Sequence, residues 1–241
     1  MSGPLLAIDT AAPRLQLALL MDQHVDTLVE DMPQGQAERI FPAIDELLQR
    51  NGVTYAELGR IAVTTGPGSF TGLRIGLSAA RGLGLALDIS VVGIDTLTAL
   101  SLIIPDGMEA VVLIDARRGE MYRHEFLGPA GALHDMPDRA EAVPGAFANI
   151  GQPKKGLERL NPFLRFTHVL GSGAEQAAEA TGADNLELER PQQDRGFIDI
   201  GLMARFAAKL DPKKWPPDPN YIRGADAKPQ EKFRVARVTD A

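Results

Sequence analysis

The chain has 241 residues, 44% of them hydrophobic, enough for one large domain or two small ones with a sizeable core. It contains no cysteine, which excludes disulfides, thiolate nucleophiles and cysteine metal sites. A formal net charge of -7 argues against independent nucleic-acid binding, for which a basic footprint is expected. No apolar run approaches the roughly 20 residues of a membrane span. The apolar stretch Leu5–Ile8 follows no basic segment, so no secretory leader is expected and a cytoplasmic location follows.

In chain order, Leu5–Asp9, Arg14–Leu20 and Val25–Val29 read as three short strands of a meander. An amphipathic helix follows, with Ile40, Phe41, Ile44, Leu47 and Leu48 on one face and Asn51-Gly52 as its C-cap. Pro42 removes a backbone donor, so that helix starts nearby or bends there. Ile61–Thr65 is a buried strand ending in the reversing turn Gly66-Pro67-Gly68. Ser69 is a good N-cap for a helix from about Phe70 to Leu87. On that helix Gly72, Gly76, Ala80 and Gly84 recur every fourth residue, along one face. Each mid-helix glycine costs roughly 1 kcal/mol against alanine. Close backbone packing must recover that cost, on the chain's own sheet or on another protein. Val91–Ile94 is a further strand, followed by a short helix from about Leu97, giving the order β-β-β-α-β-α-β-α.

The second half opens like the first. Val111–Ile114 ending in Asp115 mirrors Leu5–Ile8 ending in Asp9, and Glu120–Phe126 is the next strand. This predicts a duplicated α/β domain with its boundary near Pro105-Asp106-Gly107: one lobe over 1–104, a second over 105–211, and a tail over 212–241. Residues 128–167 are rich in Gly and Pro and carry only weak strands. Val169 to Ala174 is a strand-to-glycine turn leading into a helix from about Glu175, and Phe197–Lys209 is the last amphipathic helix. From Pro212 onward seven lysines and arginines face four acids, a net +3 that leaves the rest of the chain at -10. This segment reads as an extended, solvated tail or as a contact for RNA or an acidic partner.

Chemistry is sparse. In an α/β fold, strand carboxyl ends face the ligand crevice, so Asp9 and Asp115 could hold a metal–phosphate or a ribose, or could simply cap a turn. The stretch Gly66–Gly72 resembles a phosphate-cradling loop at a helix N-terminus but lacks the Lys-Ser/Thr of a P-loop. A structural tight turn is the competing reading. Asp9, Thr10, Gly66, Gly68, Ser69 and Asp115 are the candidates for nucleotide contact. The four histidines (His24, His124, His134 and His168) are scattered, so no metal site is expected, and no serine stands in a nucleophile elbow. Arg117-Arg118 with Glu120 reads as surface electrostatics or a substrate site. No catalytic residue is assigned.

Taken together, L-A-I-D-T-A, G-P-G-S-F-T-G-L-R-I-G, V-G-I-D-T-L, I-D-A-R-R-G-E-M-Y and P-N-Y-I-R-G-A-D-A-K-P closely resemble the bacterial TsaB (YeaZ) family. The resemblance covers the first hundred or so residues and the tail most distinctively. It implies a duplicated actin-like ATPase fold (ASKHA, ribonuclease H-like) with two βββαβα-type lobes. It also implies a non-catalytic role in making threonylcarbamoyladenosine at position 37 of ANN-decoding tRNAs. The implied partners are the metal-containing catalytic paralogue TsaD and the ATPase TsaE, with a homodimer when the chain is alone and tRNA reached only through the complex. No intrinsic cofactor is implied, with ATP or ADP expected at most at a subunit interface.

Where the paralogue carries V-G-V-N-H-x-x-x-H, this chain reads V-G-I-D-T-L-T-A-L, so its metal histidines correspond to Thr96 and Leu100. Gln36-Ala37-Glu38-Arg39 stands where members often show H-S-E-R. The family's pairing surface uses the two long helices of the first half. Carried over, the expected interface is Ile40, Ile44 and Leu47 with Gly72, Arg74, Ile75, Gly76, Ala79, Ala80 and Leu83, unless part of this set packs inward on the sheet. The alternatives are a nucleotide-binding regulator and an enzyme of the same fold, a small-molecule kinase or a peptidase.

Overall fold

The computed structural model describes residues 3–104, 110–117, 120–126, 149–151, 168–174 and 196–220. The expected lobe boundary near Pro105, the helix from Glu175, most of 128–167 and the tail beyond Asn220 lie outside the described residues.

The first sheet has the order β3-β2-β1-β4-β5, built from β1 (Leu5–Asp9), β2 (Arg14–Met21), β3 (His24–Asp31), β4 (Arg60–Gly66) and β5 (Ser90–Asp95). β1, β2 and β3 pair antiparallel as the meander requires, whereas β4 and β5 run parallel to β1. Parallel pairing needs crossovers, which α1 (Gln36–Arg50) and α2 (Phe70–Leu87) supply. A second sheet, β8-β7-β6-β9, joins β6 (Ala110–Arg117), β7 (Glu120–Phe126), β8 (Asn149–Gly151) and β9 (His168–Leu170). Its two antiparallel pairs and one parallel pair repeat the β3-β2-β1-β4 arrangement, so the duplication seen in sequence is a duplication of topology. β6 continues past Asp115 to Arg117, because its hairpin with β7 keeps pairing as far as Arg117 opposite Glu120. Asp115 therefore does not end its strand as Asp9 does.

Alternation along the strands divides the core in two. Leu6, Ile8, Leu15, Leu17, Leu19, Ile61 and Val63 face α1 and α2. Leu5, Ala7, Ala18, Ala62, Val92 and Ile94 face the other way, onto α3 (Thr96–Ser101) and α4 (Ile200–Ala207). Val112, Tyr122 and Leu170 of the second sheet join this second cluster. Three ion pairs tether the edge of the first sheet: Arg39 to Glu30, Arg50 to Asp26, and Arg14 to Asp31 at 2.6 Å. The Arg39 hydrogen bonds hold the Glu30 carboxyl below the usual carboxylate range.

Several expected faces are corrected. Phe41, expected on the buried face of α1, is 45% exposed beside Pro42, because Ile40, Ala43, Ile44, Leu47 and Leu48 already fill the contact with the sheet. Pro42 lies within α1 on its solvent side rather than at its start. The small-residue stripe of α2 faces the sheet. An added Cβ would lie 2.0 Å from the Thr10 carbonyl oxygen at Gly72 and 2.4 Å from the Thr10 hydroxyl at Gly76. At Gly84 it would meet Val91, and Ala80 is fully buried. Ile40, Ile44, Leu47, Gly72, Gly76, Ala79 and Ala80 are thus core, and the cost of the glycines is recovered inside the chain. Of the expected interface residues, Arg74 is exposed and Ile75 and Leu83 are half-buried.

Candidate functional site

The switch point of the first sheet lies between β1 and β4, where an α/β fold places its ligand crevice. β1 delivers Asp9 there, and the following turn delivers Thr10 and Ala11. β4 ends at Gly66, whose φ of 105° demands glycine, and the cis Gly66–Pro67 peptide leads into Gly68 and Ser69. The Ser69 side chain accepts from the Gly72 N–H at 3.2 Å, as an N-cap should.

The polar groups of this cluster serve one another. The buried Asp9 carboxylate accepts from the Thr64 hydroxyl at 2.7 Å, the Gln16 side-chain amide at 3.0 Å and the Ala11 N–H at 3.0 Å. Burial pushes its carboxyl up from the ordinary value, while the bonds from Thr64, Ala11 and Gln16 pull it partway back. The Thr10 hydroxyl donates to the Gly72 carbonyl at 2.7 Å, and the Ser69 N–H donates to the Ala11 carbonyl at 2.7 Å. A Cβ on Gly68 would sit 2.5 Å from that same carbonyl. The two loops are in backbone contact through Ala11, Gly68 and Ser69.

Asp9, Thr10, Gly66, Gly68 and Ser69 are thus brought together, as a clasp in which the polar side chains of Asp9, Thr10 and Ser69 are bonded within the chain. Asp115 belongs to the other sheet, where its N–H donates to the Ser172 hydroxyl at 3.0 Å. Gln16 and Thr64 are the partners that sequence reasoning missed. The available signal for the first was a glutamine in the otherwise apolar run of β2.

The other singled-out positions are structural. Gln36 is buried, and its amide donates to the carbonyls of Ala12 and Arg14, tying the start of α1 to the β1–β2 turn. Asp95 caps α3 through the Thr98 N–H at 2.9 Å, and burial pushes its carboxyl up. Thr96 and Leu100, at the paralogue's metal-histidine positions, are buried, and Leu100 offers no donor atom. Among the described residues, no group of three His, Asp or Glu side chains comes together to hold a metal ion. Nor is any described helix long and apolar enough to cross a membrane.

What α2 leaves outside is a face that mixes apolar residues with two arginines. Phe70 is 51% exposed with the Arg74 guanidinium stacked 3.8 Å above its ring, and Leu85 is 87% exposed. Arg74, Ser78, Arg81 and Gly82 are also exposed along the helix, which carries no acidic residue. Exposed Phe41 lies on the neighbouring α1.

A family model described as TsaD, tRNA N6-adenosine threonylcarbamoyltransferase, matches residues 30–204. The tRNA threonylcarbamoyladenosine biosynthesis protein TsaB of Escherichia coli is 36% identical over 125 residues, 51% of this chain and 54% of that protein. A Mycobacterium tuberculosis protein described as uncharacterized is 36% identical over 155 residues, 58% of this chain and 71% of its own. The chain belongs to the TsaB/YeaZ family. Its match to the TsaD description is what a paralogous fold gives. The Pseudomonas aeruginosa structure described as YeaZ superposes with a TM-score of 0.63 at 21% identity, covering 91% of this chain and 100% of that one. A second structure from that organism, described as similar to peptidase YeaZ, gives 0.65 at 22%, over 92% and 100%. Together with the family match, these two show the fold, an actin-like, ribonuclease H-like α/β arrangement. The chain spans about half the length of the curated TsaB relatives it matches.

Proposed function

We propose that this chain is the accessory subunit of the assembly that transfers a threonylcarbamoyl group to adenosine 37 of ANN-decoding tRNA. It pairs with a TsaD-type catalytic subunit and has no catalytic activity of its own. The names of its TsaB relatives support the pathway. The observation that carries the accessory role is the loop clasp, in which Asp9 accepts from Ala11, Gln16 and Thr64 while Thr10 and Ser69 are bonded to Gly72 and Ala11, where this fold class keeps its ligand.

The partner face is assigned to the exposed side of α2, centred on Phe70, Arg74 and Leu85, with Ile75, Leu83 and the nearby Phe41 at its margin. The same face pairs two copies when the catalytic subunit is absent. The ATPase TsaE joins the assembly, and any ATP or ADP is assigned to a subunit interface rather than to the Asp9 clasp. RNA is reached through the complex, because the body of the chain is acidic.

The test is an omission reconstitution with catalytic subunit, adenylate-forming enzyme, ATPase, ATP, threonine, bicarbonate and tRNA, scored by mass spectrometry of the modified nucleoside. Product lost only when this chain is left out supports the reading. Undiminished product without it refutes the reading.

A further inference from the structure

The proline-rich stretch after α4 is expected to be an extended tail, solvated or touching RNA or an acidic partner, yet Asp211–Asn220 is bonded to the first sheet. Trp215 is buried and meets the Phe206 ring edge-on, with centroids 5.7 Å apart. Its carbonyl accepts from the Gly93 N–H at 3.0 Å, on the outer edge of β5. Five residues on, the Asn220 N–H donates to the Thr65 carbonyl at 2.8 Å, at the end of β4. Between these points the Arg81 side chain of α2 reaches the Pro217 carbonyl at 2.5 Å and the Asp218 carboxylate at 2.9 Å. The fit is backbone-close: a Cβ on Gly93 would lie 2.5 Å from the Pro216 carbonyl oxygen and 2.7 Å from the Pro217 Cα. A Cβ on Gly66 would lie 3.1 Å from the Asn220 carbonyl oxygen. The upstream end is also fixed, by Arg60, which donates to the carbonyls of Ala207 and Leu210 at 3.0 and 2.8 Å.

We infer that Asp211–Asn220 is a strap that fastens α2 from outside. It is anchored on Gly93 and Thr65 and latched to the helix by Arg81, so that its engagement controls how firmly α2 and the loop before it are held. The geometry has three parts. The strap crosses the carboxyl ends of β4 and β5, so it covers part of a sheet edge that would otherwise offer unpaired backbone groups. Asn220 lies against Gly66, the residue that opens the loop into α2. Among the described residues, its hydrogen bonds to the helix come from exposed Arg81, a contact that solvent and salt weaken first. Release at Arg81 therefore loosens the strap and the α2 entry loop together, while α1, on the far side of α2 from the strap, stays fast.

The experiment is amide hydrogen exchange, read by mass spectrometry on the full chain carrying Arg81→Ala, with Arg81→Lys as the conservative variant and Gly93→Ala as a second route that lifts the strap by contact. The expected result is loss of protection in Arg81→Ala at Gly93, at Asn220 and across residues 66–77, with 36–50 unchanged and partial recovery in Arg81→Lys. Faster exchange confined to residues 211–220 would overturn the inference, since the strap would then be a passive cover. Unchanged exchange everywhere in Arg81→Ala would overturn it as well, whatever Gly93→Ala does. The readout does not depend on a partner, so it fails or succeeds separately from the accessory-subunit reading.

Discussion

Asp9 offers the sharpest test of the clasp. Replacing it by alanine strands three donors, the Thr64 hydroxyl, the Gln16 amide and the Ala11 N–H, in a buried setting. Each stranded group costs about 1–3 kcal/mol, so Asp9→Ala should lose at least about 3 kcal/mol. Asp9→Asn is different. Thr64 and Ala11 both donate to Oδ1, which asparagine keeps, and only the Gln16 contact is at Oδ2. Reversal of the Gln16 amide turns its oxygen toward the new NH2, so the network survives without a buried charge.

The pH dependence then has a definite sign. Burial raises the folded-state pKa of Asp9 above its ordinary 3.8, so between those two values the folded chain binds more protons than the unfolded one. Asp9 therefore makes the protein less stable as pH rises through that window, by about 1.4 kcal/mol per unit of displacement, and the difference is constant above it. Urea unfolding of wild type and Asp9→Asn from pH 4 to 8 isolates this term, because all other titrating groups cancel in the difference. Wild type should lose stability relative to Asp9→Asn as pH rises. If it gains instead, the ionised carboxylate is favoured in the folded state, and the argument from desolvation is refuted.

The other expectations contrast sites that look alike in sequence. Gly72→Ala should cost at least about 2–3 kcal/mol, because its Cβ would enter the Thr10 carbonyl, whereas Gly82→Ala, with open space around it, should gain about 0.5–1 kcal/mol in thermal or urea unfolding. Phe70→Ala and Leu85→Glu should weaken binding to a TsaD-type subunit in titration calorimetry while leaving the unfolding midpoint unchanged; normal binding by both would move the interface elsewhere. Arg50→Ala, which breaks a partly exposed pair with Asp26, should cost no more than about 1 kcal/mol and less in high salt. The chain alone should not shift tRNA on a gel at physiological salt, and a shift abolished by neutralising the lysines and arginines after Pro212 would place an RNA contact in this subunit.

Where local chemistry decides, the chain could be read directly. Ser69 after Gly66-Pro67-Gly68 places the start of α2 at Phe70, and the alternating strands with their tight turns give the meander and its repeat. Which face of α2 is inward could not be read, because small or apolar residues stand on both sides, Gly72, Gly76 and Ala80 on one and Phe70, Gly82 and Leu85 among Arg74 and Arg81 on the other, and a small-residue stripe suits a partner helix as well as a sheet. Only the sheet's shape chooses between them. The Asp9 clasp was hidden for a different reason. Its partners lie 7 and 55 residues away, and no local pattern links an aspartate at one strand's end to a threonine on another. The strap was masked by composition, since prolines suit an extended tail and a docked segment equally, and Trp215 was the one residue of that stretch with surface worth burying.

These features bear on one another through α2. Four small residues let α2 approach its sheet backbone-close at Gly72 and Gly76, Leu73 and Leu77 add buried side chains, and its ends are held by the loops around them. The clasp fixes the N-terminal end by bonding the chain's own loops to one another, and the strap bears on the same loop from the other side. A partner that binds the outer face then meets a helix already in place, and ordering costs are not charged against its affinity. On this argument the closed crevice and the proposed interface are one design. An Asp9→Ala or Thr10→Ala chain that remains folded should bind the catalytic subunit more weakly than wild type although neither residue is exposed, and Phe70→Ala should add little further loss once the clasp is open. Titration calorimetry of the single and double variants measures that coupling. Strictly additive losses would show that the crevice and the helix face act independently, and the clasp would then be a relic of the fold rather than a support for the interface.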